Sequence, residues 1–371
     1  MKNSMQLKEK NRNNVYRYIY QSQGVAKQDI ANALGLSLPT VSQNLSELKE
    51  KGLITEKGTF ESTGGRKPKM ITCEENVRVA LGLDITRNHI ALVLTNLKGE
   101  ILKSSRQRLE FETREAYFQT VGKAIEEFTK EAKVKKDRVL GLGVSVPAIV
   151  REDQKSISYM TVIPEDRHLH EDLCRVVEYP VLLFNDANAG GYGEVWRRDS
   201  QNSLVYLSLS NSVGGSILFD QNSYPGMNNR SGEFGHMALV PDGRQCYCGQ
   251  KGCADAYCNA KLLSDITGGS LGTFFKKLEE GDSECQKAFN DYLYYLSLLV
   301  KNLRMAFDSD VVLGGYVGSY MEPYLSQLTD MVDKLNPFEQ KGSYVKVCKY
   351  RSEASAVGAA LHFVEDFISA V

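Results

Sequence analysis

His236-Met-Ala-Leu-Val-Pro-Asp-Gly-Arg-Gln-Cys246-Tyr-Cys248-Gly-Gln-Lys-Gly252-Cys253 gathers three of the chain's eight cysteines into eight positions, beside one of its five histidines. Cys-x-Cys-x4-Cys with glycines at the bends and a histidine upstream supplies four ligands, the number and types that zinc takes in a closed structural site. The competing explanation is the ordinary use of cysteine as a small core residue. The other five, Cys73, Cys174, Cys258, Cys285 and Cys348, follow no framework spacing. That fits a reducing cytoplasm better than a disulfide-stapled fold. Cys258 reads either as a spare thiol near the ion or as a buried helix residue.

Outward from this stretch, 371 residues suffice for two or three domains, and 42% hydrophobic with 25% charged residues is the balance of a globular protein with a full core. No run of eighteen apolar residues occurs and the first residues are polar and basic, so neither a membrane span nor a secretory signal is expected. Charge is uneven. Residues 1–72 carry a balance of +6 and the remainder −7, giving the net −1. A basic head on an acidic body points to nucleic acid at one end.

The head, residues 1–75, reads as a winged helix-turn-helix. A first helix over about Leu7–Gln21 carries Val15, Tyr18 and Ile19 at helical spacing. A second runs from Lys27 to Leu34 and stops at Gly35. Ser37 caps a third, with Pro39 in its first turn and Val41, Leu45 and Leu48 as its buried stripe. Thr40, Ser42, Gln43 and Asn44 are left as short polar groups for a major groove, with no acid among them to repel phosphate. Two short strands, Gly52–Ile54 and Lys69–Ile71, flank a wing tip in which Arg66 and Lys67 would enter a minor groove or grip phosphates. A winged module used only for protein contacts is the alternative.

In the body, Val79–Ile85 and His89–Thr95 alternate like paired strands, and Val139–Val146 has the apolar density of a buried parallel strand. Val181–Phe184 ends in Asn185-Asp186-Ala187-Asn188, the carboxyl end of a strand, where open α/β sheets hold ligands. A second hairpin, Leu204–Leu209 with Gly214–Phe219, starts a second lobe, and a helix over 354–368 ends the chain. The expected division is 76–192 with the last helix (about 354–371) as one lobe and 193–353, including the metal site, as the other. Glu233, His236 and Asp255 flank the cluster, and acids beside an amide suit the vicinal hydroxyls of a sugar. Each acid taken alone is equally a cap or a solvated surface group.

The order winged helix-turn-helix, Ser-Thr-Gly-Gly-Arg-Lys-Pro (62–68), Asn-Asp-Ala-Asn (185–188), Glu-x-Gly-His (233–236) and Cys-x-Cys-Gly-x-x-Gly-Cys (246–253) resembles the ROK family of bacterial sugar-responsive repressors and sugar kinases. The resemblance covers nearly the whole chain. It implies an α/β, two-lobed, actin-like (ribonuclease-H-like) body with a sugar in the cleft, and a structural zinc on His236, Cys246, Cys248 and Cys253. It also implies a homodimer or homotetramer. Asn185, Asp186, Glu233 and His236 would contact sugar hydroxyls, and Asp186 matches the position of the catalytic base in family kinases.

Departures from the family pattern bear on catalysis. Kinases of the family open with Asp-x-Gly-Gly-Thr where this chain has Asp84-Ile-Thr-Arg-Asn88. Leu209-Ser-Asn-Ser-Val-Gly-Gly-Ser216 lacks three glycines of the second phosphate loop, and Gly314-Gly315-Tyr316 puts a ring where adenine would lie. Phosphate cradles need glycine for positive φ and close approach. The expectation is therefore a non-catalytic, sugar-responsive repressor acting on operator DNA, with an ATP-dependent sugar kinase carrying a DNA-binding head as the alternative. An empty scaffold, and activation instead of repression, remain open at this stage. Asp255 stands where the family has Glu and Ala148 where it has Gly, so the sugar itself is not specified.

Overall fold

The computed structural model describes residues 2–59, 69–160, 162–196, 203–220, 222–338 and 342–371. In the head, α1 (Lys2–Gln21), α2 (Lys27–Leu34) and α3 (Leu38–Glu50) precede the antiparallel pair β1 (Ile54–Thr59) and β2 (Lys69–Cys73). The Ser37 hydroxyl accepts from the Thr40 N–H at 3.3 Å, while Val41 and Leu48 are fully buried. The first wing strand starts later than the expected Gly52–Ile54. Gly52 and Leu53 are still occupied in closing α3, donating to the Lys49 and Leu48 carbonyls.

α1 also departs from expectation. It begins at Lys2, and it buries Val15, Tyr16, Ile19 and Tyr20 instead of a single stripe through Tyr18. The band is wide because α1 packs on α2, α3 and β2 within the head and on the last helix of the chain besides. The Tyr20 hydroxyl donates to the Leu97 carbonyl of the body. Head and body consequently share one continuous apolar cluster, running from Val15 and Ile30 to Val364 and Ile368.

The body opens with β3 (Val79–Ile85), β4 (His89–Asn96) and β5 (Ile101–Arg108). After α4 (Glu115–Glu131) come β6 (Val139–Val146), the small hairpin β7 (Ala148–Val150) and β8 (Ile157–Met160), α5 (Leu169–Val176), β9 (Val181–Asn185) and α6 (Asp186–Val195). The sheet order is β5-β4-β3-β6-β9, antiparallel on the β5 side and parallel across β3, β6 and β9. β3 is buried almost throughout, as its Val-Ala-Leu-Gly-Leu sequence requires. β5, at the edge, is exposed nearly end to end and reads Lys-Ser-Ser-Arg-Gln-Arg, charges that blunt edge pairing.

A second sheet is built from β10 (Leu204–Leu209), β11 (Val213–Phe219) and β12 (Asn222–Ser223). The chain then passes through the one-turn α7 (Asp255–Cys258) and α8 (Lys261–Ser264), α9 (Leu271–Glu279) and the 25-residue α10 (Ser283–Phe307). Then follow β13 (Asp310–Gly314), α11 (Gly315–Gly318), α12 (Leu325–Leu335), β14 (Val345–Val347) and α13 (Ala354–Ala370). Its order, β12-β11-β10-β13-β14, repeats the first sheet's plan: an antiparallel meander, then two parallel additions on the far side of the first strand. α13 returns to the first sheet. It fits there because a Cβ on Gly143 of β6 would lie 2.1 Å from the Ala359 carbonyl oxygen, a contact only glycine permits. Among the described residues no helix is long and apolar enough to cross a membrane.

Candidate functional site

β9 delivers Asn185 and Asp186 to the carboxyl edge of the first sheet. Asn185 caps α6, its Oδ1 accepting from the Asn188 N–H at 2.9 Å, and its Nδ2 donates to the Ala148 carbonyl at 3.1 Å. Asp186 starts α6 and spends one oxygen on the Ala187 N–H at 2.9 Å. Burial, with the Asp84 and Glu233 charges nearby, pushes its carboxyl up to about 7. Both residues line a cavity of about 400 Å³, within the usual range for small-molecule sites. The same cavity is lined by Ser212 to Gly215, Glu233 and His236, and by Tyr159, Arg230 and Tyr247. Burial also raises the Glu233 carboxyl.

Asp255 does not reach this cavity. It is only 4% exposed, and its Oδ2 accepts from the Val213 N–H at 2.6 Å. The expectation that it contacts ligand is corrected. It is a strut behind the wall, fixing the backbone of Val213, which does face the cavity.

A ring nitrogen of His236 and the Sγ atoms of Cys246, Cys248 and Cys253 converge, all within 4.8 Å of one another. Thiolates sharing one tetrahedral ion at a metal–sulfur distance of about 2.3 Å stand about 3.8 Å apart. Cys248 and Cys253 are at 3.7 Å. His236 Nδ1 is buried without a hydrogen-bond partner among the described residues, while Nε2 is 3.3 Å from the Tyr247 hydroxyl. A buried orphan ring nitrogen beside three thiols suits a metal ligand. The residues fit a structural metal. Local backbone supports the arrangement: Leu239 N–H donates to Gly252 O at 2.7 Å and Ala254 N–H to Met237 O at 2.8 Å. Gly252 takes φ of 83° there, with no room for a side chain against the Val240 carbonyl. Cys258 is fully buried and stands outside this cluster, as a helix residue.

A second, smaller cavity of about 100 Å³ adjoins the first through Asp186, Pro147, Val162 and Ser212. Tyr316 of α11 lines it beside Thr86, and its ring lies 4.7 Å from the Arg106 guanidinium of the first sheet. The ring bridges the two halves of the body.

In the head, Gln43 is exposed on α3, with Ser42 and Thr40 half-exposed beside it. The Ser42 hydroxyl donates to the Leu38 carbonyl, and Thr40 Oγ1 shares a 2.8 Å bond with Ser37. Asn44 is a correction. It is 3% exposed and its amide donates to the Thr40 carbonyl at 2.9 Å, so it is part of the helix packing and does not face a groove. Arg66 and Lys67 lie outside the described residues.

Residues 80–365 match the ROK family, and residues 17–62 match a Crp-like helix-turn-helix domain. The chain belongs to the ROK family. This ROK chain is 26% identical over 318 residues to the xylose repressor of Bacillus subtilis, an alignment covering 83% of this chain and 82% of that one. It is 27% identical over 243 residues to N-acetylmannosamine kinase of Vibrio vulnificus, covering 62% and 80%. A crystal structure of a ROK family transcriptional regulator, a homologue of the E. coli MLC protein, superposes with a TM-score of 0.74. It covers 98% of this chain and 97% of that one at 19% identity, a likeness of fold.

Among the cavity residues of this ROK body that sequence reasoning missed are Tyr159, Arg230 and Tyr247. Tyr247 was visible between two cysteines of the cluster, and Arg230 three residues before Glu233. Tyr159 carried no signal, because the β7–β8 hairpin that presents it is too short to show an alternating pattern.

Proposed function

We propose that this protein is a sugar-responsive transcriptional repressor whose head binds operator DNA and whose cleft binds the effector. The observation that carries the reading is Asp186, Glu233 and His236 facing one 400 Å³ cavity in a chain that also carries an exposed recognition helix. The division is a head over 1–75, a lobe over 76–192 completed by 354–371, and a lobe over 193–353. Zinc on His236, Cys246, Cys248 and Cys253 holds the Glu233–His236 segment against the sugar. Four protein ligands leave it no open position for chemistry. A homodimer places two recognition helices in successive major grooves, and sugar shifts the spacing between them. Decisive release requires about 10²–10⁴-fold preference for one state, about 3–5.5 kcal/mol.

Gln43, exposed on α3, is the base-reading side chain this reading favours, with Ser42 and Thr40 beside it and Arg66 and Lys67 on the wing. Gln43→Ala should weaken binding to a duplex selected by the wild-type chain from a randomised library by about 5–150-fold, the worth of one good base-edge contact. Fluorescence anisotropy measures it, and an unchanged Kd removes Gln43 from the interface.

One observation favours a kinase as second reading: Asp186, near neutral pKa, faces both cavities as a base would. Against it stand the missing glycines and a nucleotide side of about 100 Å³, below the usual range for small-molecule sites and bridged by Tyr316. A thermal-shift panel of D-xylose, D-glucose, N-acetylmannosamine and ATP, paired with coupled ADP release, separates the readings. D-xylose comes first because the Bacillus subtilis relative bears its name. A sugar at 100 times its Kd should stabilise by about 2.7 kcal/mol, with no ATP shift and no ADP. Turnover abolished by Asp186→Ala makes the protein a kinase.

A further inference from the structure

Arg12 lies where three elements meet. Its Nε donates to the Val371 backbone oxygen at 3.0 Å, just past the end of α13, and its Nη1 stands 3.5 Å from Oε2 of Glu47 on the recognition helix, whose other oxygen pairs with Lys8 of α1 at 2.6 Å. Asn13 Nδ2 donates to the Ile368 carbonyl at 2.8 Å, and Arg17 pairs with Glu365 at 3.1 Å. The last carbonyls of a helix have no intrahelical donor, and here α1 of the head supplies it. Arg12 and Glu47 side chains are 18% and 24% exposed, against 46% and 36% for Arg17 and Glu365. The Arg12 contacts are therefore the better shielded from salt. Of these three residues, Arg12 alone bridges the residue that follows α13 and α3. A planar guanidinium fork holds two acceptors at a set angle, which a lysine ammonium does not.

The other end of α13 lies at the cleft. Ser352, Ala354 and Ser355 line the smaller cavity. Near its start α13 meets α6 backbone to backbone, a Cβ on Gly358 falling 1.7 Å from the Ala189 carbonyl oxygen, and one turn on the His362 ring stacks on Tyr192 of α6 at 3.9 Å. Side-chain interfaces slide by rotamer exchange, whereas backbone set on backbone at this distance moves as one body. α6 begins at Asp186 and carries Asn188, both lining the larger cavity. A 17-residue helix spans about 25 Å, enough to join cleft and head with one rigid element. Helix shifts of about 1–2 Å are the usual scale of such transitions, and a shift of that size at Val371 breaks or remakes the Arg12 bond.

We propose that Arg12 is the positioning residue that transmits effector occupancy to the recognition helix, holding the end of α13 and Glu47 in one guanidinium. The proposal rests on the reading of the cleft as the effector site and of α3 as the DNA-reading helix.

The test measures Kd for the library-selected duplex with and without saturating D-xylose, in wild type, Arg12→Ala, Arg12→Lys and Asn13→Ala, with D-xylose affinity measured separately by calorimetry. Arg12→Ala should cut the ratio of the two Kd values by about tenfold or more with D-xylose affinity unchanged, Arg12→Lys should restore part of it, and Asn13→Ala should stay within about threefold of wild type. A merely structural Arg12 weakens DNA binding equally in both states. An unchanged ratio in Arg12→Ala overturns the proposal. If wild type ignores D-xylose, the effector reading fails by itself, and hydrogen exchange then judges Arg12. Exchange of α3 amides 41–48 accelerated by about tenfold or more in Arg12→Ala, with 356–364 unchanged, sustains the link. Unchanged exchange in α3 overturns it.

Discussion

Protein dialysed against a strong chelator, and the Cys253→Ser variant, should both lose sugar binding and melt at least about 10 °C below the untreated chain. Structural zinc contributes about 10–16 kcal/mol in isolated peptides. Here the second lobe keeps an apolar core from Val205 to Val345, so about 5 kcal/mol is the smaller loss expected, and at about 2–4 °C per kcal/mol this gives the stated shift. The four residues bring together a segment that follows β11–β12 and a knuckle that leads into α7, so loss of an ion held there would free the Glu233–His236 wall. Buried Cys246, whose thiol is pushed up to about 12, needs a cation to hold it as thiolate. Operator binding should survive at low temperature, since the fold of the head does not pass through this site. Calorimetry, anisotropy and an assay of metal released per chain test the three parts. A stripped protein with the same melting point and the same sugar affinity excludes a structural ion.

Asp186→Ala should weaken sugar binding by about 10–150-fold, the equivalent of about 1.5–3 kcal/mol for a hydrogen bond to a charged group. The wild type should also bind with a pH dependence that the variant lacks. Burial first, then Asp84, raises this carboxyl to about 7. A raised acid takes up its proton on folding, so the folded chain loses stability as pH climbs from the ordinary carboxylate range to about 7 and is level above it. A hydroxyl donating to the ionised form reverses part of that loss. Sugar affinity should consequently rise by about tenfold from pH 6 to pH 8, and Asp186→Asn should flatten the curve. A flat wild-type curve places the sugar elsewhere.

The first sheet was legible where hydrophobic runs were dense: Val139–Val146 and Val181–Phe184 read as buried parallel strands, and β6 and β9 are parallel neighbours. Punctuation also carried the helix-turn-helix, through Gly35, Ser37 and Pro39. The misplacements came from tertiary context. Asn44 looked like a groove-reading amide because polarity says nothing about which face a helix buries, and its own helix supplied the acceptor that made burial tolerable. Asp255 looked like a ligand because sequence proximity to the metal knuckle cannot show which way one turn of helix aims a carboxylate. α1 hid its second buried face because that face meets residues about 350 positions away.

The Tyr316 ring, set against Arg106 of the first sheet, carries a consequence for physiology. The junction between the halves is made by a residue of the chain itself, with no adenylate required to complete it. A regulator built so would answer to the supply of its carbohydrate and stay blind to the energy charge of the cell. Starved and replete cells given the same sugar should then derepress to the same degree.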